Sequence, residues 1–198
     1  MKQIAHIQVT PSKILLNGQP LALEPVADTA TAPTGKAMLT AYYKQRVGDY
    51  PKFYKMDALA RLGFLAAELL LQSLVEAMFE EREDRAIVLV NRSASLVADR
   101  KYETTIQAGD NYFPSPSDFV YTLPNIVTGE IAIRHHYHAE TTFMVIEPSQ
   151  VDPADSNPVP EMLIAQAFGD PQVTSVLGGW LECSGENEFE ADLGIFIN

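Results

Sequence analysis

Residues 111–149, NYFPSPSDFVYTLPNIVTGEIAIRHHYHAETTFMVIEPS, give the clearest indication of fold in this chain. After a Pro-rich start, apolar side chains recur one turn apart over 126–132, which predicts a short helix. A histidine-rich loop then leads into 141–146, a β-branched and aromatic run that is typical of a strand. Glu147-Pro148 stops the run. The pattern predicts a buried central strand that ends in a carboxylate at a sharp bend. Open α/β sheets usually have their ligand-binding and catalytic residues at such strand ends.

Hydrophobic patterns on both sides of this stretch predict an α/β fold. Asn17-Gly18 between apolar runs indicates a hairpin. Asp57 can cap an apolar helix that we expect over 58–79. The continuous apolar run 86–90 is typical of a strand buried on both faces of a mainly parallel sheet. Further strands or helices are expected at 4–9, 13–16, 20–23, 96–107, 160–168, 173–182 and 189–197.

Length and composition favour one domain. The chain has 198 residues, of which 46% are hydrophobic and 20% charged, as in ordinary globular domains. We therefore expect a single domain over 1–198, with a long connecting excursion at 24–55 and a Pro-rich loop at 148–160. The excursion is rich in aromatic residues that could pack either on a partner or on the chain's own core. These are Tyr42, Tyr43, Tyr50, Phe53 and Tyr54.

Several classes of protein are disfavoured. No run of about 18 apolar residues is present, so we expect no membrane span. The first residues lack the pattern of an export signal. Cys183 is the only cysteine, which rules out an internal disulfide and suits a reducing compartment. We expect a cytoplasmic protein that needs no cofactor.

The charge is strongly acidic and uneven. The net charge is −12, and residues 135–198 contain 11 carboxylates and no lysine or arginine. Nucleic acid would be repelled by this third of the chain, so we expect no nucleic-acid partner. A local basic cluster could instead receive an acidic partner, or could be an ordinary solvated surface. It consists of Lys36, Lys44, Arg46, Lys52, Lys55 and Arg61.

The order of several short segments resembles the N-terminal half of β-ketoacyl-acyl carrier protein synthases, members of the thiolase-like superfamily. The segments are the Ser-Pro-rich loop 113–117, the sequence FVYTLPN at 119–125 with Gly129 after it, the helix and strand that follow, and paired glycines before an acidic residue at 178–182. The resemblance implies an α/β fold: a single thiolase-like half, with a mixed, mainly parallel five-stranded sheet flanked by helices. It also places a bend at Gly178-Gly179.

In that family the bend after the strand carries a nucleophilic cysteine, and the second half of the fold supplies catalytic histidines. Here Glu147 stands at or near the nucleophile position, and no cysteine is close to it. The resemblance therefore implies a non-catalytic, chain-length-factor-like subunit of a fatty-acid or polyketide-type system. Such a subunit would form a homodimer, or a heterodimer with a complete ketosynthase, and would dock an acyl carrier protein. The alternative is a thioester-processing enzyme, a decarboxylase or acyltransferase, that uses Glu147 as a base.

The candidate partner-binding residues come from the basic cluster and from the histidine loop. They are Lys44, Arg46, Lys52, Lys55, His135, His136 and His138. The resemblance implies that the histidines lie at a subunit seam. With Glu140 they could also contribute to a metal site, but no second ligand cluster has suitable spacing, so we expect no bound metal. Cys183 has acidic neighbours, which raise a thiol pKa, so we expect it to be inert.

Overall fold

The computed structural model describes residues 1–24, 32–74, 81–107, 109, 113–146 and 159–198, and these form seven strands and six α-helices. The strands are β1 (Lys2–Thr10), β2 (Lys13–Leu16), β3 (Gln19–Pro20), β4 (Arg85–Asn91), β5 (Thr141–Val145), β6 (Ser175–Gly185) and β7 (Glu188–Ile197). The helices are α1 (Gly35–Arg46), α2 (Ala58–Gln72), α3 (Leu96–Thr104), α4 (Pro116–Val120), α5 (Ile126–His135) and α6 (Val159–Ala167).

All seven strands belong to one sheet, in the order β3-β2-β1-β7-β6-β4-β5. Strand β4 is parallel to β5 and β6, and the other pairs are antiparallel. The α/β class and the mixed sheet are as expected. The sheet has seven strands rather than five because the β2–β3 hairpin extends it beyond β1, and parallel pairing is confined to β4, β5 and β6.

The hairpin forms at Asn17-Gly18, as predicted. Both residues have positive φ, 50° and 77°, which is the backbone that a two-residue turn between right-twisted strands requires. The Asn17 side chain also accepts a hydrogen bond from the His6 backbone amide at 2.9 Å. The turn therefore sets the pairing of β2 with β3, and Asn17 ties it to β1.

Helix α2 is the centre of the main core. Asp57 caps it as predicted, accepting hydrogen bonds from the amides of Leu59 and Ala60 at 3.2 and 2.9 Å. All but a few of its side chains are buried, because it packs on the sheet and on α1 and α5. It ends at Gln72, whereas the sequence predicted a helix to residue 79; residues 75–79 lie outside the described residues.

The connection predicted over 24–55 contains α1, which is a correction to the expected long excursion. Met38, Leu39, Tyr42 and Tyr43 are buried and recur at helical spacing, so they place one face of α1 on the core. The Tyr43 ring stacks on Phe53 with centroids 3.9 Å apart. Most of the aromatic residues of this region thus pack on the chain's own core, and residues 25–31 lie outside the described part.

Among the described elements, α6 covers the opposite face of the sheet over β4 and β6. Ile164 and Ala167 of α6 pack there against Val88 and Val176. Helix α6 begins at Val159, close to the expected end of the Pro-rich loop, of which residues 148–158 lie outside the described residues. The same face of β1 and β7 borders an open cleft of about 740 Å³.

The paired glycines do not form the expected bend. Gly178 and Gly179 lie inside β6, which continues to Gly185. They are needed because neighbouring backbone is close: a Cβ at Gly178 would lie 2.7 Å from the Val88 carbonyl oxygen, and Gly179 has a φ of 146°. Here the glycines serve close packing within the sheet rather than a change of direction.

Candidate functional site

Strand β5, predicted to lie in the middle of the sheet, is instead an edge strand. It pairs with β4 on one side, and no described strand pairs with its other side. The expectation of a buried central strand was wrong because a β-branched and aromatic composition does not distinguish a central strand from an apolar edge. The consequence is that the segment forms an open margin of the molecule.

Within the described residues, the outer side of β5 presents backbone groups that no neighbouring strand pairs. The Glu140 carbonyl accepts from the Ile87 amide at 2.9 Å, and the Ile146 amide donates to the Asn91 carbonyl at 2.9 Å. Because backbone groups alternate in direction along a strand, those of residues 142 and 144 also face β4, and those of 141, 143 and 145 face outward. These outward groups can accept another strand.

Apolar side chains accompany this open edge. Met144 and Val145 are 39% and 45% exposed, and Ile133 on the adjacent α5 is 67% exposed. The segment TTFMV contains no charge and no proline, the devices by which proteins usually block edge pairing. At the other end of the sheet, β3 is only two residues long and ends in Pro20. Of the two sheet edges, β5 alone is suited to pairing.

The three histidines of the loop before β5 are separated by the structure. His135 is buried, and its Nε2 lies 2.9 Å from Glu68 Oε1 on α2. His136 ends α5 in the left-handed conformation, with a φ of 55°, and its side chain is exposed. His138 is also exposed, and its Nε2 lies 3.1 Å from Glu81 Oε1. Two of the predicted histidines are therefore on the surface, whereas His135 is part of the interior.

A polar network fixes the position of α5, the helix that precedes β5. The Arg134 guanidinium donates to Glu68 at 3.1 Å and to Asp49 at 2.6 Å. Glu68 is buried, so the charges beside it offset the cost of removing its carboxylate from water. This network ties α5 to α2 and positions the exposed side of α5 next to the edge strand.

Much of the predicted basic cluster is used within the chain. Lys52 bonds Glu130 at 2.6 Å, and this hydrogen bond raises the pKa of Lys52 above its usual value. Arg46 donates to the Ala22 carbonyl at 2.9 Å. Lys44 and Lys55 are exposed, and neither has an ion pair within the described part of the chain. Of the four predicted cations, these two are the most accessible to an acidic partner.

Two further cations of the cluster also have partners. Lys36 forms an ion pair with Glu186 at 2.7 Å, and Arg61 donates to the carbonyls of Phe53, Tyr54 and Met56. They help to fold the chain and contribute little free positive charge to the surface.

Neither of the two side chains considered as reactive groups in the sequence provides a nucleophile within the described residues. Glu147, the residue at the expected bend, lies outside those residues. Cys183 is buried, and burial raises the pKa of its thiol to about 12. Such a thiol is not ionised at neutral pH, in agreement with the expected inert cysteine.

The cleft on the second face of the sheet has polar groups that already bond one another. His6 Nε2 lies 2.6 Å from Asp192 Oδ1, and the Gln8 side chain donates to Asp192 Oδ2 at 2.9 Å. The Trp180 indole donates to Glu190 at 2.7 Å. The described residues that line the cleft include no serine or cysteine, so they do not provide a nucleophile paired with His6.

Sequence reasoning missed the exposed side chains Ile133, Met144 and Val145. One signal was present: a strand-length apolar run without charge or proline follows a helix that carries apolar residues on more than one side. Which of its sides is exposed depends on the strand order, and the order is not encoded locally.

None of the helices in the described part of the chain has the length and apolar character of a membrane span.

Comparison with known proteins identifies the fold. No protein-family model matches the chain, and no curated protein matches it in sequence. Among solved structures, it is similar to the ishigamide ketosynthase/chain length factor, with a TM-score of 0.64 and 14% identity over 99% of this chain and 61% of that chain. It is also similar to the structure of a ketosynthase in complex with its chain length factor from Xenorhabdus doucetiae, with a TM-score of 0.55 and 10% identity over 100% of this chain and 80% of that chain.

These likenesses show that the described chain has an α/β fold similar to that of the two ketosynthase structures. The chain spans less than two thirds of the length of the ishigamide ketosynthase/chain length factor chain.

Proposed function

We propose that this chain is a non-catalytic, chain-length-factor-like subunit of a fatty-acid or polyketide-type biosynthetic system, which acts by pairing with a ketosynthase along the edge strand β5. The observation that carries the proposal is the open β5 edge, with outward backbone groups and exposed apolar side chains. Edges of this kind are rare in monomeric proteins because they promote association.

The energetics favour pairing at this edge. A second strand would satisfy the outward amides and carbonyls of residues 141, 143 and 145, and each hydrogen bond contributes about 1 kcal/mol net. Covering Met144, Val145 and Ile133 would add about 25 cal/mol for each Å² of apolar surface removed from water. Backbone pairing and apolar burial on both faces of β5 thus act together along one edge.

A ketosynthase is the partner that the fold suggests. One of the similar structures is a ketosynthase bound to its own chain length factor. A partner of the same fold would present a corresponding strand edge, so the two sheets could join across a pseudo-twofold axis. A homodimer of this chain would use the same edge and is the competing outcome.

The described residues offer no accessible thiol, which supports a non-catalytic role. The single thiol is buried with a raised pKa, and His135 is buried against Glu68. An acyl carrier protein is strongly acidic, and the exposed Lys44 and Lys55 would attract its carboxylates at short range. Carrier docking is therefore part of the proposal, at the basic cluster rather than at the sheet edge.

The test is co-expression of the chain with the ketosynthase of its native host, followed by co-purification and sedimentation. We expect a stable 1:1 complex that Val145→Lys weakens by at least about tenfold in Kd, because a buried charge at a paired edge is strongly unfavourable. Met162→Lys is the matched control, since Met162 is also exposed, at 62%, but lies on α6 away from β5. Equal loss in both variants, or a chain that stays monomeric with every ketosynthase, would contradict the proposal.

The same preparation tests the enzymatic alternative. The pure chain is assayed for turnover of malonyl and acyl thioesters, and none is expected. Turnover that disappears in Glu147→Ala would instead favour a carboxylate-based decarboxylase or acyltransferase.

A further inference from the structure

Three side chains that can bind a metal ion lie together at the end of the sheet where β4 and β5 begin. They are Glu81, Glu83 and His138, and their ligand atoms lie within 4.8 Å of one another. Residues 81–84 lead into β4 and residues 136–140 lead into β5; because these strands are parallel, both segments meet at the same end of the sheet. The two glutamates are more than 50 residues from the histidine in sequence, so spacing alone could not associate them.

The backbone holds these two segments in register. The His138 amide donates to the Arg82 carbonyl at 2.9 Å, and the Arg82 amide donates to the His136 carbonyl at 2.9 Å, which forms an isolated parallel bridge. Both carboxylates lie within reach of the His138 imidazole across this bridge.

The charge arrangement favours a cation. The cluster contains two carboxylates, which attract a cation. The Arg82 guanidinium, between the two glutamates in sequence, donates to Asp84 at 2.9 and 3.1 Å. His138 adds an imidazole nitrogen as the third ligand atom.

We propose that Glu81, Glu83 and His138 bind a divalent transition-metal ion of the zinc type. One imidazole with two carboxylates suits zinc, whereas calcium and magnesium prefer oxygen ligands alone. Ligands on one tetrahedral zinc ion are about 3.3 Å apart, and His138 Nε2 already lies 3.1 Å from Glu81 Oε1. All three side chains are exposed, so small rotamer changes bring Glu83 to the same distance, and water completes the coordination.

A metal ion at this place would act as a clip. It would join the segment before β4 to the loop before the edge strand β5, which are otherwise held by two backbone hydrogen bonds. Ligands that bind only the folded chain raise its apparent stability, so zinc would protect this end of the sheet against opening.

The test is a titration of the full, tag-free chain with zinc chloride by calorimetry, repeated with cobalt chloride to record the visible spectrum of the bound ion. We expect one site per chain, a melting temperature raised by several degrees, and weak or no binding of magnesium. His138→Gln should abolish the site, and Glu83→Gln should weaken it by about tenfold or more. His136→Gln is the matched control, because His136 is exposed in the same loop but outside the cluster, and it should bind zinc as the unaltered chain does.

Three outcomes would overturn the proposal. They are no binding at 1:1 stoichiometry, equal binding by the unaltered chain and by His138→Gln, or loss of the site in His6→Gln, which would place the ion beside Asp192 instead. If His138→Gln does not fold, Glu83→Gln decides, because Glu83 is exposed and its amide analogue keeps the same shape without the charge.

Discussion

Burial decides the chemistry of the only cysteine. Cys183 lies in the main core, where burial, with a further contribution from Asp57, raises the pKa of its thiol to about 12. At pH 8 about one thiol in ten thousand is then ionised, against about a quarter for an ordinary thiol. We expect the native chain to react with Ellman's reagent at least about 100-fold more slowly than the chain in urea. Equal rates in the two states, measured by thionitrobenzoate release, would show that the thiol is accessible.

Asp84 is the residue through which pH should act on stability. Hydrogen bonds from Arg82 lower the pKa of its carboxyl to about 2, and Thr174 donates to it as well. A lowered folded-state pKa contributes stability above the unfolded value near 3.8, and this contribution is lost as pH falls through 2. After discounting for its partial exposure, we expect Asp84→Asn to cost about 1 kcal/mol at pH 7.

Urea unfolding of the Asp84→Asn variant at several pH values checks this prediction. The difference from the unaltered chain should shrink as the solution is acidified toward pH 2. A difference that is the same at pH 7 and at pH 3 would assign the effect to packing instead of charge.

Local residue chemistry could be predicted from the sequence where it depends on near neighbours. Asp57 caps α2 and Asn17-Gly18 forms the turn, because the capping amides and the positive φ values belong to adjacent residues. The fate of His135 could not be predicted, since its contact with Glu68 joins residues 67 positions apart. The same is true of Glu81 and His138.

Helix packing sets opposite requirements on two glycines. Gly63 lies where α2 crosses β6 and α5, and a Cβ there would lie 2.5 Å from Val127 and 2.7 Å from Leu181. Gly129, on α5, has no atom within 4 Å of the corresponding position. Alanine is the better helix former by about 1 kcal/mol, so packing determines the sign of each substitution.

We expect Gly63→Ala to destabilise the chain by about 1–2 kcal/mol, since overpacking outweighs the gain in helix propensity. Gly129→Ala should stabilise it by about 0.5–1 kcal/mol. Urea unfolding of the two variants side by side measures both values. A stabilised Gly63→Ala would mean that α2 can move away from β6 at little cost.

At the level of elements, apolar spacing predicted most helices and strands but not their environment. Helix α1 was missed because its buried residues, Met38, Leu39, Tyr42 and Tyr43, follow a segment rich in Pro, Ala, Thr and Gly that is typical of a connection. Strand β5 was placed in the middle of the sheet because Phe143 and its neighbours suit either position. Exposure at an edge follows from which strands pair, and that is decided by contacts between distant segments.

For the whole molecule, the α/β class could be predicted, but the strand order could not. Strands β1 and β7 pair along most of their length although they lie at opposite ends of the described chain, and α2 packs on both. Their pairing also places β6 and β7 at the interior of the sheet. Two strands of the acidic C-terminal third, β6 and β7, are thus central in the sheet.

This arrangement concentrates negative charge across one antiparallel pair. Glu182 and Glu190 are directly opposite in β6 and β7, and Glu188 follows the turn between the strands. Like charges at such positions repel, and the net charge of −12 adds a longer-range term. The repulsion is screened when the Debye length falls from about 30 Å at 0.01 M salt to about 10 Å at 0.1 M.

We therefore expect the melting temperature to rise by a few degrees when sodium chloride is raised from about 0.01 to about 0.1 M. Glu188→Lys should raise the melting temperature at low salt and reduce the further gain from salt. It replaces a negative charge of the β6–β7 strand pair with a positive one. Lys2→Gln is the control: it makes the net charge more negative at the edge of the molecule and should leave the salt response in place. A melting temperature that falls with salt would show that attractive ion pairs, such as Arg134 with Asp49, outweigh the repulsion.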